Sequence, residues 1–314
     1  MLMNIDRTEN LSVRDFHDRY LSKCKPVVLR GLAEGSKSAQ EWDFSYFSNQ
    51  YGEQIVEVTH SNERRERVSL AVYLERLALG ATDPGYLRDW KIANVDRALF
   101  DHLPDLPHFA VDLLKNEPTT QDYLKEIFIG PCGSSTFMHV DVWQSHSWML
   151  VLRGKKKWTM CPPDELQRVG IKRGRDLVSF KQQLAEKIVG MRRYEFDLSA
   201  GEIVFVPSGW WHQVVNLEPS IAVTYNFVDA YSLGKAYRLA EKKQKMFDSM
   251  VDREVEKMVS GAISDSAKAS AMLQVDALAS TLDQRSSALT ERARVLREQA
   301  AALRGLIAGQ VENA

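Results

Sequence analysis

Short apolar runs, separated by glycine and proline, fill the stretch from residue 123 to residue 228. The runs are KEIFIGP, STFMHVDVW, SWMLVLRG, KKWTMCPP, GEIVFVP, HQVVNL and SIAVTYNFV. Such segments with turn residues between them are typical of antiparallel strands. Because open strand edges invite aggregation, they predict a closed sandwich or barrel. Residues 164–193 interrupt the strands and are predicted to form a solvated helical insert, with a lid or a partner-binding arm as the alternative.

The region before these strands mixes helix and strand patterns. KPVVLRGL contains an apolar run from Pro26 to Leu29 that predicts a short strand, and QIVEVTH predicts a second strand. Between them, EWDFSYFSNQYG has the apolar spacing of a helix. Residues 66–116 are predicted to be mainly helix and loop.

The chain changes character near Ser232. No proline follows Pro219 and no aromatic residue follows Phe247, while Ala, Leu, Glu, Lys, Arg and Gln become dense. These residues favour helix, and Gly261 is the one internal break. We therefore predict two domains: residues 1–231 with the β-rich core, and a helical region over 232–314 with helices near 232–259 and 264–308.

The second predicted helix carries a heptad pattern. Leucine recurs every seven residues, and small or aliphatic residues recur at the same period; the two sets are Leu282, Leu289, Leu296 and Leu303, and Ala279, Ser286, Ala293, Ala300 and Ile307. Such a seam packs against another helix. Two interpretations stay open: the seam packs on its own domain, or it forms a homodimer.

Composition narrows the class of protein. Hydrophobic residues make up 44% of the chain, enough for a large core, and 41 basic residues nearly balance 42 acidic ones. The near-zero net charge argues against nucleic acid or a membrane surface as the main partner. No apolar run reaches the length of a membrane span or of a signal peptide core, and the three cysteines lack metal-site spacing. We therefore expect a soluble, cytoplasmic protein with free thiols.

His139 and Asp141 lie one residue apart in a predicted strand. Residues i and i+2 of a strand point to the same face, so both side chains can reach one ion. A buried aspartate needs a cation or hydrogen-bond donors, and a metal ion satisfies both residues at once. His212 in PSGWWHQVVNL begins a later strand and is the best third ligand. Two histidines and one carboxylate form the facial triad of non-haem Fe(II) oxygenases.

The remaining histidines are interpreted as surface or structurally satisfied residues. They are His17, His60, His102 and His108 in the first third of the chain, and His146 in a predicted turn. Four tryptophans lie near the predicted ligands. By strand alternation, Trp143 and Trp210 are the two that could line a substrate channel.

From about Lys25 to Asp229 the sequence resembles the Jumonji C family of cupin-fold oxygenases. The resemblance is carried by KPVVLRG, GPCGSSTFMHVD, WMLVLRGKKKW and AGEIVFVPSGWWHQVVNLEPSIAVTYNF. The last block is the most specific, and the motifs are most similar to those of the Jumonji C lysyl hydroxylases. The resemblance implies a double-stranded β-helix (jelly-roll or cupin) core with N-terminal helices. It also implies Fe(II) as cofactor, with 2-oxoglutarate and O₂ as cosubstrates.

Position by position, the resemblance implies that His139, Asp141 and His212 are the iron ligands. Lys156 corresponds to the lysine that pairs with the distal carboxylate of 2-oxoglutarate. Strand parity favours Lys156 over its lysine neighbours, because it shares a face with Trp158 and Met160. Four further residues correspond to groups around the cosubstrate: Thr224, Asn226, Thr136 and Tyr86.

Two positions do not fit the simple pattern. Strict alternation places Thr136 on the face opposite His139, so a bulge or a strand start must intervene. Met149 stands where the lysyl hydroxylases have an asparagine, ten residues after the first histidine. Either another polar group such as Asn216 takes its place, or the pocket is more apolar there.

Three functions are compatible with these residues. The first is an oxygenase that hydroxylates an unactivated C–H bond of a protein or peptide side chain, with lysine the first guess from the resemblance. The second is a hydroxylase of a small metabolite, a biosynthetic intermediate or a tRNA base. The third is a metal-binding cupin scaffold without turnover. Lys156 argues against the scaffold, because a binding module needs no 2-oxoglutarate lysine.

Overall fold

Two β-sheets that share an apolar core form the centre of the molecule. The computed structural model describes residues 1–113, 124–171, 177–239 and 265–282, together with residues 255, 257, 258, 294 and 298. One sheet has five strands and the other has seven. The predicted mainly-β, jelly-roll core is confirmed by this arrangement.

The strands of the described residues are β1 Leu2–Met3, β2 Asp6–Glu9, β3 Val27–Arg30, β4 Ile55–Thr59, β5 Arg65–Ser69, β6 Leu87–Lys91, β7 Lys125–Gly130, β8 Ser135–His139, β9 His146–Arg153, β10 Lys155–Cys161, β11 Arg193–Ser199, β12 Ile203–Val206, β13 Trp211–Asn216 and β14 Ser220–Phe227. The five-stranded sheet has the order β1-β11-β10-β13-β8. The seven-stranded sheet has the order β2-β3-β12-β9-β14-β7-β6, and β4 pairs with β5. All pairs are antiparallel except β1 with β11 and β2 with β3.

The helices of the described residues are α1 Val13–Phe16, α2 Lys37–Glu41, α3 Phe44–Tyr51, α4 Leu70–Ala78, α5 Ile92–Val95, α6 Glu165–Arg168, α7 Leu177–Lys187, α8 Leu233–Leu239 and α9 Asp265–Leu282. A π-helical turn, His17–Leu21, follows α1. Short 3₁₀ turns span Arg97–His102, Pro107–Phe109, Val142–Gln144 and Ile188–Gly190. No helix in these described segments combines the length and the apolar character needed to cross a membrane.

Side chains that alternate along β9 pack into two different apolar clusters, one on each face of the seven-stranded sheet. In β9, Met149 and Val151 pack with Trp158 of β10 between the two sheets. Trp148 and Leu150 face the other way and pack under the N-terminal helices. Because both faces of the seven-stranded sheet are covered, β9 is buried from His146 to Leu152 instead of alternating between buried and exposed residues.

The sequence pattern did not predict β1 and β2 in the N-terminal segment. It also did not predict three later strands, β5, β6 and β11. β5 and β6 fall in residues 66–116, which were predicted to be mainly helix and loop. β11 directly follows the insert, and its buried side chains are Tyr194, Phe196 and Leu198. Charged residues at the intervening positions give all three strands low overall hydrophobicity. Their stability comes from pairing with neighbouring strands rather than from local propensity.

The insert is helical as predicted, but it is not solvated on all sides. Leu166 of α6 and Phe180 and Leu184 of α7 are buried against Met138 and Cys161. The insert therefore covers the outer face of the five-stranded sheet. Its residues 172–176 lie outside the described residues.

The described part of the heptad seam packs on its own chain. Leu278, Ala279 and Leu282 of α9 are buried in one cluster with Leu233 and Tyr237 of α8. This favours the intramolecular interpretation for the start of the seam. The later leucines, at 289, 296 and 303, lie outside the described residues, as does most of the predicted helix 232–259.

Candidate metal centre

His139, Asp141 and His212 meet at one point between β8 and β13. His139 pairs directly with His212 in the β8–β13 register. β8 ends at His139, and Asp141 follows just beyond it in an extended conformation, with φ −55° and ψ 152°. One ligand atom from each of the three residues lies within 4.8 Å of the other two. The structure thus brings together the three predicted iron ligands.

Both imidazoles are oriented by main-chain carbonyls. His139 Nδ1 lies 2.7 Å from the Phe137 carbonyl oxygen, and His212 Nδ1 lies 3.1 Å from the Trp210 carbonyl oxygen. A carbonyl can only accept, so each Nδ1 carries the hydrogen and each Nε2 lone pair is free for a metal. The two rings lie with their centroids 4.2 Å apart.

The protonation state of the site suits a divalent cation. Burial lowers the pKa of His212 to about 4, although the Asp141 carboxylate opposes this shift. His212 is therefore neutral near pH 7, as a metal ligand must be. Asp141 Oδ1 lies 3.8 Å from His212 Nε2, and Asp141 Oδ2 accepts a hydrogen bond of 2.8 Å from the Ser147 hydroxyl.

A cavity of about 600 Å³ opens beside the three ligands. Besides the ligands, it is lined by Asp89, Lys91, Leu124, Glu126, Phe128, Thr136, Val142, Trp143, Ser147, Met149, Trp158, Val214, Thr224 and Asn226. Asp89 and Val142 are the exposed residues of this set, so they mark the side where the cavity meets solvent. The volume is large enough for a small cosubstrate together with a substrate side chain.

Lys156 is fully buried on the inward face of β10. Its Nζ donates a 2.6 Å hydrogen bond to Asn216 Oδ1, and no carboxylate of the described residues lies within 4 Å of it. Burial lowers the pKa of Lys156 to about 7. In the β10–β13 register, Met160 pairs with His212 and Lys156 pairs with Asn216, with Trp158 between them on the same face. Trp158 lines the cavity, so Lys156 lies beyond it along the barrel from the metal ligands.

Thr136 and Tyr86 are hydrogen-bonded to each other, and the β-bulge predicted near Thr136 is present in β8. Thr136 pairs with Val214 while His139 pairs with His212, so the register shifts by one residue between them. This β-bulge turns Thr136 onto the cavity wall. Burial raises the pKa of the Tyr86 phenol, and a hydrogen bond with Thr136 opposes that shift. The Tyr86 ring centroid lies 5.8 Å from Lys156 Nζ.

Thr224, Asn226 and Met149 line the cavity from the seven-stranded sheet. Thr224 donates a 2.9 Å hydrogen bond to the Trp148 carbonyl, which leaves its oxygen lone pairs available. Asn226 donates to the Ser145 hydroxyl over 3.1 Å. Met149 makes its stretch of the wall apolar, whereas Asn216 contacts Lys156 and the Ser134 hydroxyl.

Of the two tryptophans predicted to line a substrate channel, only one lies at the cavity. Trp143 lines the cavity, whereas Trp210 is buried and donates to the Cys24 carbonyl.

The turn predicted at His146 is wrong: this residue begins β9 and is fully buried. Its Nε2 lies 3.0 Å from Asp229 Oδ1, and its Nδ1 accepts from the Ser208 amide. His146 thus faces a buried carboxylate and a main-chain amide, and it does not line the cavity.

Several cavity residues have no signal in the sequence. Ser147 lies in an apolar run, and Asp89, Lys91 and Glu126 lie on β6 and β7, far from the histidines in sequence. Lys91 and Glu126 form an ion pair. Only the pairing of β6 with β7 brings these charges to the cavity.

The chemistry of the site fits Fe(II) and a dicarboxylate cosubstrate. Two neutral imidazole nitrogens and one carboxylate oxygen are the donor set of the facial triad, which leaves three coordination positions for other groups. Lys156 is buried and pairs with no carboxylate in the described part of the chain, which suits an anionic group.

Comparison with known proteins gives consistent similarities. The model of the cupin-like domain family matches residues 13–233. The chain is 32% identical over 271 residues to the arginine-specific demethylase JMJ22 of Arabidopsis thaliana, which covers 80% of this chain and 52% of that protein. It is 27% identical over 264 residues to the human 2-oxoglutarate and iron-dependent oxygenase JMJD4, which covers 74% of this chain and 63% of that protein. It is 28% identical over 251 residues to the lysine-specific demethylase JMJ21 of Arabidopsis thaliana, which covers 74% of this chain and 26% of that protein. The chain therefore spans less than two thirds of the length of these relatives.

Proposed function

The chain belongs to the cupin-like domain family, and we propose that it is an Fe(II)- and 2-oxoglutarate-dependent oxygenase that hydroxylates a protein or peptide side chain. One observation carries the proposal: the two histidines and one aspartate of a facial triad lie along the same barrel wall as a buried lysine that has no carboxylate partner among the described residues. The relatives named as 2-oxoglutarate and iron-dependent oxygenases support it.

Each residue has a defined task in this proposal. His139 and His212 would bind Fe(II) through Nε2, and Asp141 through Oδ1. Lys156 would bind the distal carboxylate of 2-oxoglutarate, with Thr136, Tyr86, Thr224 and Asn226 around the cosubstrate. When bound, iron and 2-oxoglutarate supply O₂ activation coupled to oxidative decarboxylation, which yields succinate and CO₂.

The protein matrix orients these groups and limits water. Phe128, Met149, Trp158 and Val214 are among the apolar residues of the cavity wall. A dry wall strengthens the attraction between Lys156 and a bound carboxylate, and it protects reactive species from side reactions. The target C–H bond would enter from the side of Asp89 and Val142.

The charges at that side favour a cationic target, in line with relatives named for arginine and lysine specificity. Asp89 is exposed and adopts φ 58°, a conformation that aspartate tolerates better than most residues. The β6–β7 register shifts between Leu87 and Trp90, and this irregularity re-aims the Asp89 side chain. Glu126 adds a second carboxylate, paired with Lys91.

The test of the proposed function is succinate formation from 2-oxoglutarate with Fe(II) and O₂. Lysine- and arginine-containing peptides, N-methylated forms of both, and small metabolites are then compared for accelerated turnover. Mass spectrometry separates two outcomes of one reaction: a gained oxygen on a carbon of the side chain, or loss of a methyl group when the hydroxylated carbon is an N-methyl. No succinate from the metal-loaded chain, with any of these substrates, contradicts the proposal.

Asp89→Asn tests the cationic target. We expect the KM for the best lysine or arginine peptide to rise by up to about fivefold, since one charge contact at an exposed site contributes at most about 1 kcal/mol. Asp101→Asn, an exposed aspartate away from the cavity, is the matched control. Equal KM values for the two variants would remove Asp89 from substrate selection.

A homodimer through the C-terminal helices and a cytoplasmic location both stay predictions. Because Leu278, Ala279 and Leu282 of α9 pack on their own chain, a dimer through the C-terminal helices would use other surfaces than these three side chains. Light scattering of the full chain gives its mass directly.

A further inference from the structure

The two oxygens of the Asp141 carboxylate contact different neighbouring residues. Its Oδ1 is the oxygen closest to His212 Nε2, at 3.8 Å, and its Oδ2 accepts the Ser147 hydroxyl hydrogen over 2.8 Å. One oxygen therefore faces the second histidine while the other is already engaged. Ser147 is 4% exposed and lines the cavity, so water does not compete freely for this hydrogen bond.

A strained turn makes this contact between residues six apart in sequence. Trp143 and Gln144 have φ of 54° and 51°, left-handed values that are rare for residues other than glycine. The turn sends the chain back so that Ser147 on β9 lies beside Asp141. Trp143 packs against two apolar clusters, and this packing offsets the strain.

β9 holds Ser147 in place. Ser147 pairs with Asn226 of β14 on one side and with Val206 of β12 on the other. A serine on a central strand has little freedom to follow a moving carboxylate. The hydrogen bond from Ser147 therefore holds the Asp141 carboxylate in one orientation, in addition to providing it with a donor.

We propose that Ser147 is a positioning residue that keeps Asp141 a one-oxygen ligand. This inference rests on the proposed function. Two imidazoles and one carboxylate oxygen leave three positions on an octahedral ion. 2-Oxoglutarate needs two of them and O₂ needs the third. A carboxylate that bound through both oxygens would take one of these positions, and Ser147 prevents this by engaging Oδ2.

The test compares S147A, S147T and the wild-type chain by calorimetry, with Mn(II) in place of Fe(II). At saturating Mn(II), we expect the Kd of S147A for 2-oxoglutarate to rise by about 10- to 100-fold, the range typical when a partner of a metal ligand is removed. S147T keeps the hydroxyl and is expected to stay within about threefold of wild type. If Ser147 only fills space, the added methyl of S147T should disturb binding at least as much as the loss of an oxygen in S147A.

Ser220→Ala is the matched control, because Ser220 is a fully buried strand serine whose hydroxyl has no hydrogen-bond partner among the described residues. Melting temperatures without metal verify that all variants are folded. An S147A protein with the wild-type affinity for 2-oxoglutarate overturns the inference, whatever its affinity for Mn(II). A wild-type chain that binds neither Mn(II) nor 2-oxoglutarate instead contradicts the proposed function itself.

Discussion

His212→Ala is expected to abolish the stabilisation that Mn(II) and 2-oxoglutarate give to the wild-type chain. A ligand at 100 times its Kd stabilises a folded protein by about 2.7 kcal/mol. At roughly 2–4 °C per kcal/mol, this corresponds to a rise in the wild-type Tm of about 5–10 °C. The variant lacks one of the three proposed metal ligands, whose candidate ligand atoms lie within 4.8 Å of one another, so its Tm should not respond. Succinate formation should fall at least a thousandfold.

The ligand-free variant should fold normally. Burial holds the pKa of His212 at about 4, so the residue is neutral and contributes no ion pair near pH 7 that its removal could break. His17→Ala is the matched control, since that ring contacts Asp18 and Tyr231 outside the cavity. A variant that keeps the full ligand-induced Tm shift would remove His212 from the metal centre.

The sequence predicts the parts of this site that depend on strand periodicity. In β13, Trp211, Gln213 and Val215 are partly exposed, whereas His212, Val214 and Asn216 are buried. This alternation is encoded locally, and so is the inward orientation of Lys156. The bulge at Thr136 could also be inferred, because the residue and His139 have opposite parity and need a register shift to share a face.

The sequence does not predict the parts that depend on which strands become neighbours. Asp89 and Glu126 reach the cavity only because β6 pairs with β7 and β7 with β14. Ser147 finds Asp141 only because a left-handed turn reverses the chain, and neither Trp143 nor Gln144 is a residue type that signals such a turn. β11 has only a weak strand signal, because charged residues alternate with its buried residues Tyr194, Phe196 and Leu198.

Lys156→Met is expected to affect the ligand-free and ligand-bound states in opposite directions. Burial lowers the pKa of Lys156 from 10.5 to about 7, so the folded chain binds this proton less readily than the unfolded chain does. The resulting destabilisation is fully present below pH 7 and is relieved as the pH rises toward 10.5. Methionine removes a buried charge at similar volume, so the ligand-free Tm at pH 6 should rise or stay equal.

The same Lys156→Met variant should bind 2-oxoglutarate much more weakly than the wild-type chain does. Truncating one partner of a buried, hydrogen-bonded charge pair costs about 2–5 kcal/mol, so the KM for 2-oxoglutarate should rise roughly 30-fold to several thousandfold. Lys157→Met is the matched control, because Lys157 is adjacent on β10 and exposed on the opposite face. Similar KM values for Lys156→Met and Lys157→Met would show that Lys156 does not bind the cosubstrate.

The pH dependence of the Kd for 2-oxoglutarate in the wild-type chain is a second, independent test of the role of Lys156. Below pH 7 Lys156 is protonated in the ligand-free site, so the Kd for 2-oxoglutarate should be flat with respect to this group. A bound carboxylate raises the pKa of the lysine, so above pH 7 binding must take up a proton, and the Kd should rise about tenfold per pH unit. Calorimetry in buffers of different ionisation enthalpy measures that proton directly. Lys156→Met should bind weakly at every pH without this uptake, and a wild-type Kd that falls between pH 7 and 9 would contradict the assignment.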